Sequence, residues 1–486
     1  MADKPLSSQT PHSVPEAAAN GEPERPALGD IRERVAVGAS FVCLCLALAV
    51  FGAVSSKLAF FPGRQVNEFL SSFKDVRQLV ELHWQYKVLN RHPNEITWPD
   101  GLPAHAPIKS QIGADELTLV QAFRNGSYGL FLVGADGLIL HEWRIPPVVS
   151  AEFVKPSDRM MPGDFKVIDG ALLFPNGDVA ITVDYYGVAR LDRCSHKIWS
   201  LPGEYHHSIS IGPDGDLWVP FREFRTATKR EESWISAPYF YESVAQISPD
   251  GALKEIFPLV DAAISGRFEG LIAVGSPGDA RTLSSDITHL NDADIVTAEF
   301  AATNPQLNEG DIIVSLRTVD AIAVIDRMTK KFKFALSGLT VRQHDPDILP
   351  NGNILVFDNR TVISQHNRLT YTPHGQALGQ SRIVEINPRT QETVWSWSGS
   401  DAAPFFSSIQ GKIEPLANGN VLVAETEGGR IFEIDRASGA VIWQFENLLR
   451  MENGAPVYGR VTGASRHARS DLPFLTEPAC PALPSQ

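Results

Sequence analysis

The sequence predicts an all-β fold, a six-bladed β-propeller, on three observations. From about residue 115, short apolar runs are separated by Asp-Gly and Asn-Gly pairs, the turn chemistry of hairpins whose central residues need positive φ. Four of these runs resemble one another: LLFPNGDVAITVD from Leu172, SIGPDGDLWVP from Ser210, ILPNGNILVFDN from Ile348 and PLANGNVLVAET from Pro415. Three units continue through a second strand and an acidic turn into an aromatic strand, reaching Trp199, Trp395 and Trp443. With weaker units from Gly129 and Asp311, about six blades fill residues 115–453, and radial repetition protects their sheet edges. A β-sandwich is the alternative, but it does not call for a recurring turn-to-tryptophan unit.

Before the propeller, residues 1–34 hold Pro5, Pro11, Pro15, Pro23 and Pro26 among Ser, Ala and Glu, with too few bulky apolar groups to repay ordering. Disorder is expected there. Residues 35–54 carry no charge and, as a helix, are long enough to cross roughly 30 Å of hydrocarbon. A single transmembrane anchor is expected, because a polar tail precedes the run where a cleavable signal would begin near the start. Arg25, Arg32 and Arg34 before it nearly balance Lys57 and Arg64 after it, so charge does not orient the anchor. In residues 64–90, Val66, Phe69, Phe73, Val76 and Val80 recur at steps of three and four, a short juxtamembrane helix. It pairs with a second copy as a homo-oligomer or packs on the following domain; His83 and Lys87 interrupt the heptad. Inserts at 225–240, 260–285 and 360–380 interrupt the later units and are expected on a functional rim. Residues 461–486 are expected as a C-terminal tail.

The 486 residues are 43% hydrophobic and 21% charged, which excludes a wholly disordered chain and a polytopic membrane protein. Lys plus Arg number 43 against 57 Asp plus Glu, a net charge of −14 that argues against nucleic acid as a partner. Cys43 and Cys45 lie inside the apolar run; Cys194 and Cys480 remain, and sequence does not decide whether they pair. No phosphate-cradling loop, dinucleotide fingerprint or Gly-x-Ser-x-Gly elbow is present.

Aligning the units on their turns places Asp169, His207 and His344 six residues before Pro175, Pro213 and Pro350. Equivalent positions that face the channel mouth would bring these side chains together. His289 opens the inner strand of the intervening blade, and Arg317 lies in a run so apolar that its guanidinium needs an anionic partner. A single histidine is ordinarily a satisfied core or surface residue; several at comparable strand positions, with an arginine, are poor choices for stability alone. Neutral imidazole serves as nucleophile, base or metal ligand, and the guanidinium fork suits a tetrahedral oxyanion. Group transfer is therefore expected. Three histidines could also hold zinc or copper, but Arg317 would repel the cation, and no metal is expected.

The blocks YHHSISIGPDGDLWV, DITHLNDADIV, IIVSLRTVDAIAVID and RQHDPDILPNGNILVFDN resemble, in this order, the bacterial arylsulfate sulfotransferase family. The resemblance covers roughly residues 117–453 and is most specific at His344 and the nine residues after it. It implies an extracytoplasmic six-bladed propeller that moves a sulfuryl group from an aryl sulfate donor to a phenol or other hydroxyl acceptor without a cofactor. His344 would be the nucleophile of a ping-pong mechanism, with His289, Arg317 and His207 around the sulfuryl oxygens. His207 is preferred because His206 would point to the opposite face of a strand; His206 and Asp169 are weaker substrate-binding candidates. The chain departs from the better-known members in having an anchor where they have a removable export signal and a substantial β domain, and in lacking their disulfide near the nucleophile. A noncatalytic envelope scaffold or ligand-binding propeller is the main alternative, followed by a quinoprotein or metal-dependent oxidoreductase.

Overall fold

The computed structural model describes residues 92–97, 110–154, 166–227, 229, 232, 234–235, 238–273, 286–361, 380–400 and 403–481. The expected tail 1–34, anchor 35–54 and juxtamembrane helix 64–90 all lie outside the described residues. Among the described residues, no helix is long and apolar enough to cross a membrane.

The chain is all-β in the described region, with six four-stranded antiparallel sheets and one three-stranded sheet. Five of the six are meanders of consecutive strands. Sheet 2 runs from Ile168–Leu173 to Lys197–Pro202, sheet 3 from Ser210–Ile211 to Leu253–Pro258 and sheet 4 from Leu290–Ile295 to Lys331–Ser337. Sheet 5 runs from His344–Ile348 to Glu392–Ser398 and sheet 6 from Lys412–Pro415 to Val441–Glu446. Sheet 1 joins the two ends of the fold. Val461–Ala468 pairs with Glu116–Arg124, ahead of Ser127–Val133 and Ile139–Arg144. The expected C-terminal tail is therefore corrected: its first eight residues are a strand, and the sheets extend past the expected end at 453.

Six apolar clusters lie one at each junction between neighbouring sheets, so the sheets close a circuit. The strand Ile354–Asp358 shows why. All five residues are buried; Ile354 and Val356 enter the cluster shared with sheet 4, while Leu355 and Phe357 enter the one shared with sheet 6. Period-2 alternation thus serves two neighbours at once, which explains strands that read as continuous apolar runs. The recurring tryptophans tie the same junctions. Trp143 Nε1 donates to Gly177 O at 3.0 Å, Trp199 to Pro249 O at 3.0 Å, Trp397 to Gly439 O at 2.9 Å and Trp443 to Ala135 O at 3.1 Å, each reaching a turn of the next sheet.

The turn glycines Gly177, Gly215, Gly352 and Gly419 have φ between 81° and 86°, as the Asp-Gly and Asn-Gly pairs require. The expected insert at 260–285 holds helices Leu259–Gly266 and Glu269–Ala273, and its residues 274–285, like residues 362–379 of the expected insert at 360–380, lie outside the described residues. Cys194 and Cys480 form a disulfide that ties the end of the chain to the last hairpin of sheet 2 across 286 residues of sequence.

Candidate active site

The first strands of successive sheets line the axis of the circuit, and the candidate residues lie at one end of them. Asp169 is in the first strand of sheet 2; His206 and His207 precede that of sheet 3; His289 directly precedes that of sheet 4, and His344 begins that of sheet 5. All six candidates meet there. The His207 ring centre is 5.2 Å from that of His289, 6.3 Å from that of His344 and 5.1 Å from that of His206. Asp169 and Asp184 offer carboxylate oxygens within 4.8 Å of a His207 nitrogen and of one another. Arg317 begins the turn after the second strand of sheet 4, and its backbone N–H donates to His289 O at 3.1 Å.

The expected opposition of His206 and His207 is corrected. That alternation assumes a strand, but the pair lies before the strand, and His207 holds a left-handed φ of 56°. The two Nδ1 atoms are 2.9 Å apart. One bridging proton joins the rings, and His206 also stacks on Tyr185 with centroids 5.3 Å apart. His289 has a left-handed φ of 49° as well. Non-glycine residues hold this conformation at a cost of about 1–3 kcal/mol, so both rings are placed against local backbone preference.

His344 is 4% exposed. Its Nδ1 lies 2.7 Å from Asn359 Oδ1. The Asn359 amide donates to Ser407 O at 2.9 Å and Gln410 O at 2.7 Å, which fixes its oxygen toward the ring. His344 therefore carries its proton on Nδ1 and keeps a lone pair on Nε2. Burial, and then Arg317, push its pKa well below the ordinary histidine value, so the ring is neutral at pH 7. Burial likewise depresses His206, aided by Arg222, and His207, aided by His206. His289 is lowered by burial against the opposing charge of Asp286, to which its Nδ1 is hydrogen-bonded. Burial alone would raise Asp286, but the contact with His289, together with Arg222 and Arg317, brings the carboxylate down to about 2.

Arg317 is pushed down to about 10 by burial and by Arg342, and its Nε has no hydrogen-bond partner among the described residues. No carboxylate among them lies within ion-pair distance of its guanidinium. A buried cationic fork beside neutral imidazoles is suited to an incoming oxyanion. Asp184 is pushed up to about 8 by burial and by Asp169, so this pair holds a proton near neutrality. Asp169, Asp184 and His207 are the one group among the described residues with the spacing to hold a metal ion.

Sequence reasoning missed several of the lining residues, yet one signal carries them. Seven residues after the turn glycines Gly177, Gly215, Gly310, Gly352 and Gly419 stand Asp184, Arg222, Arg317, Asn359 and Thr426. In four of the five sheets this is the residue directly after the second strand; Arg222 lies within its longer strand. Arg222 sits 3.8 Å from the ring centres of both Tyr185 and Phe240, and its Nε donates to Glu204 at 2.9 Å. Asp286 and Glu242 have no such register.

Residues 170–448 match the family described as Arylsulfotransferase (ASST). No curated protein matches the sequence. Among solved structures, a protein of unknown function from Bacteroides caccae is 12% identical, covering 72% of this chain and 98% of that one with a TM-score of 0.45. The WD40 β-propeller domain of Doa1 is 10% identical, covering 76% and 95% with a TM-score of 0.39. A virginiamycin B lyase from Staphylococcus aureus with quinupristin is 10% identical, covering 73% and 91% with a TM-score of 0.36.

Proposed function

The chain belongs to the arylsulfotransferase family, and from that premise we propose that it transfers a sulfuryl group by a ping-pong mechanism through sulfo-His344. The six sheets are read as the six blades of a propeller whose channel mouth is the active site. His344 Nε2 attacks sulfur, the S–O bond to the aryl group breaks, and the aryloxide leaves with a proton from a neighbouring imidazole. An acceptor hydroxyl then loses its proton to that imidazole as its oxygen attacks sulfur and the N–S bond breaks. Arg317 and His289 face the sulfuryl oxygens, where fixed positive charge lowers the barrier to transfer. The observation that carries this reading is the 2.7 Å contact from His344 Nδ1 to Asn359, which leaves the Nε2 lone pair free on a ring within the electrostatic reach of Arg317.

The charge-free run 35–54 supports a membrane anchor, and the Cys194–Cys480 disulfide supports a propeller on the oxidising, extracytoplasmic side, periplasmic in a bacterium. Initial rates with para-nitrophenyl sulfate as donor and phenol as acceptor test the transfer. Parallel double-reciprocal lines, and their loss in a folded His344→Ala variant, are expected; intersecting lines would contradict the covalent intermediate.

A further inference from the structure

The proton that group transfer must move has a buried path leading away from His207. His206 is 1% exposed and its Nε2 has no hydrogen-bond partner among the described residues. The one carboxyl among the described residues within ion-pair distance of that nitrogen is Glu242, itself 2% exposed, whose Oε1 stands 3.9 Å away. The other carboxyl oxygen is committed: it accepts from the Thr288 hydroxyl and from Leu290 N at 2.7 Å. Oε1 is thus the oxygen directed at the orphan nitrogen. On its far side His206 meets His207, with the two Nδ1 atoms 2.9 Å apart. Since Nδ1 of His207 is used in that contact, Nε2 is the nitrogen left for substrate. Burying a carboxyl and two imidazoles in line is costly unless each proton has a destination.

We propose that Glu242, His206 and His207 form a proton relay, in which Glu242 stores the proton that His207 exchanges with the leaving and attacking aryl oxygens. This rests on the transfer reading above. In the first half-reaction the Glu242 acid gives its proton to His206 Nε2, His206 gives its Nδ1 proton to His207 Nδ1, and His207 gives its Nε2 proton to the departing aryloxide. Each imidazole changes tautomer and stays neutral, while Glu242 becomes a carboxylate. In the second half-reaction the acceptor hydroxyl gives its proton to His207 Nε2, the chain of transfers reverses, and Glu242 is reprotonated; no net proton is gained or lost. Burial and the nearby Asp286 push Glu242 up to about 8, so it begins the cycle protonated at neutral pH. The 3.9 Å separation exceeds a hydrogen bond and has to shorten when substrate binds, as catalytic contacts do on forming the complex. Glu242 and His206 act through His207 and are positioning residues; His207 alone touches substrate.

The test compares two donors in the pre-steady-state burst of phenol release. Para-nitrophenolate leaves without a proton, whereas phenolate from phenyl sulfate needs one. Glu242→Gln keeps an amide oxygen for Thr288 and Leu290 but holds no transferable acid proton. The relay predicts that Glu242→Gln, and separately His206→Asn, slow the phenyl sulfate burst about tenfold or more beyond any slowing with para-nitrophenyl sulfate. The para-nitrophenyl burst of the same preparation measures its folded enzyme, so the ratio remains readable at any yield. Equal slowing of both donors, or no slowing of either, overturns the relay and leaves the transfer reading standing. A wild-type chain with no burst from para-nitrophenyl sulfate removes the transfer reading and the relay with it.

Discussion

At the scale of residues, neutrality is what the proposed nucleophilic role of His344 requires. An imidazole at its ordinary value would be partly protonated near pH 6.5, but burial and Arg317 lower this one, so its nucleophilic form persists as pH falls below that value. Burst rates with para-nitrophenyl sulfate are accordingly expected to hold between pH 7 and 6 and to decline only in more acidic buffer; a decline centred at 6.5 would show an ordinary histidine. Replacing the guanidinium by Arg317→Ala removes the fork proposed to face the sulfuryl oxygens, and a loss of about a hundredfold in turnover is expected with the thermal transition retained. His344, His207 and Asp169 were legible because they share one spacing from a turn proline. Asn359 and Asp184 share another, from the turn glycine, that the repeat alignment carries but residue chemistry alone does not advertise. His206 was misplaced because strand alternation was extended over two residues that precede the strand. Glu242 was illegible for a different reason: it sits in the middle of Tyr239–Ile247, where nothing marks a carboxyl that folds toward a histidine outside any strand.

Among elements, the strand Val461–Ala468 has the largest consequence for stability. It supplies the inner strand of sheet 1, contributes Val461 to a core cluster, and brings Thr462 to donate to Ile168 O across 294 residues. Truncation after residue 460 therefore exposes the inner edge of sheet 1 and opens the circuit, and loss of the cooperative thermal transition is expected. The disulfide holds the segment that follows. Cys194→Ser is expected to lower stability by about 2–4 kcal/mol, read as a drop in denaturant midpoint, with the same drop on reduction of the unmodified chain. Retained stability after either change would show the terminal segment to be dispensable. The sheets were legible because their turns repeat and because four of them carry a tryptophan in the outer strand. The closing strand was not, since its pairing partner lies at the other end of the domain, beyond the reach of any local pattern.

Across the whole molecule, the axis is lined by buried acids. Asp292, Asp294 and Asp345 on the first strands of sheets 4 and 5 are pushed up to about 7, mainly by burial and by each other, with Lys412 opposing. Glu414 is raised to about 7 and Asp184 and Glu242 to about 8 by burial and neighbouring acids. Groups raised in this way bind protons in the fold that the unfolded chain has already released, so stability falls as pH rises toward 8. The depressed histidines act in the other direction, but only below their ordinary value of 6.5, where the unfolded chain takes up protons the fold refuses. Between pH 6.5 and 8 the carboxyls alone decide, and a falling Tm is expected, flattened in Asp294→Asn; a Tm that rises across this interval would contradict the buried acid axis. The net charge of −14 gave no hint of it, because composition does not say which acids face inward. Most direct of all is rapid-quench mass analysis of the peptide containing His344 after mixing with para-nitrophenyl sulfate. The account predicts one sulfo group on that histidine, discharged by added phenol and absent from His344→Asn. Phenol release with an unmodified His344, or a sulfo group carried on another residue, would contradict it.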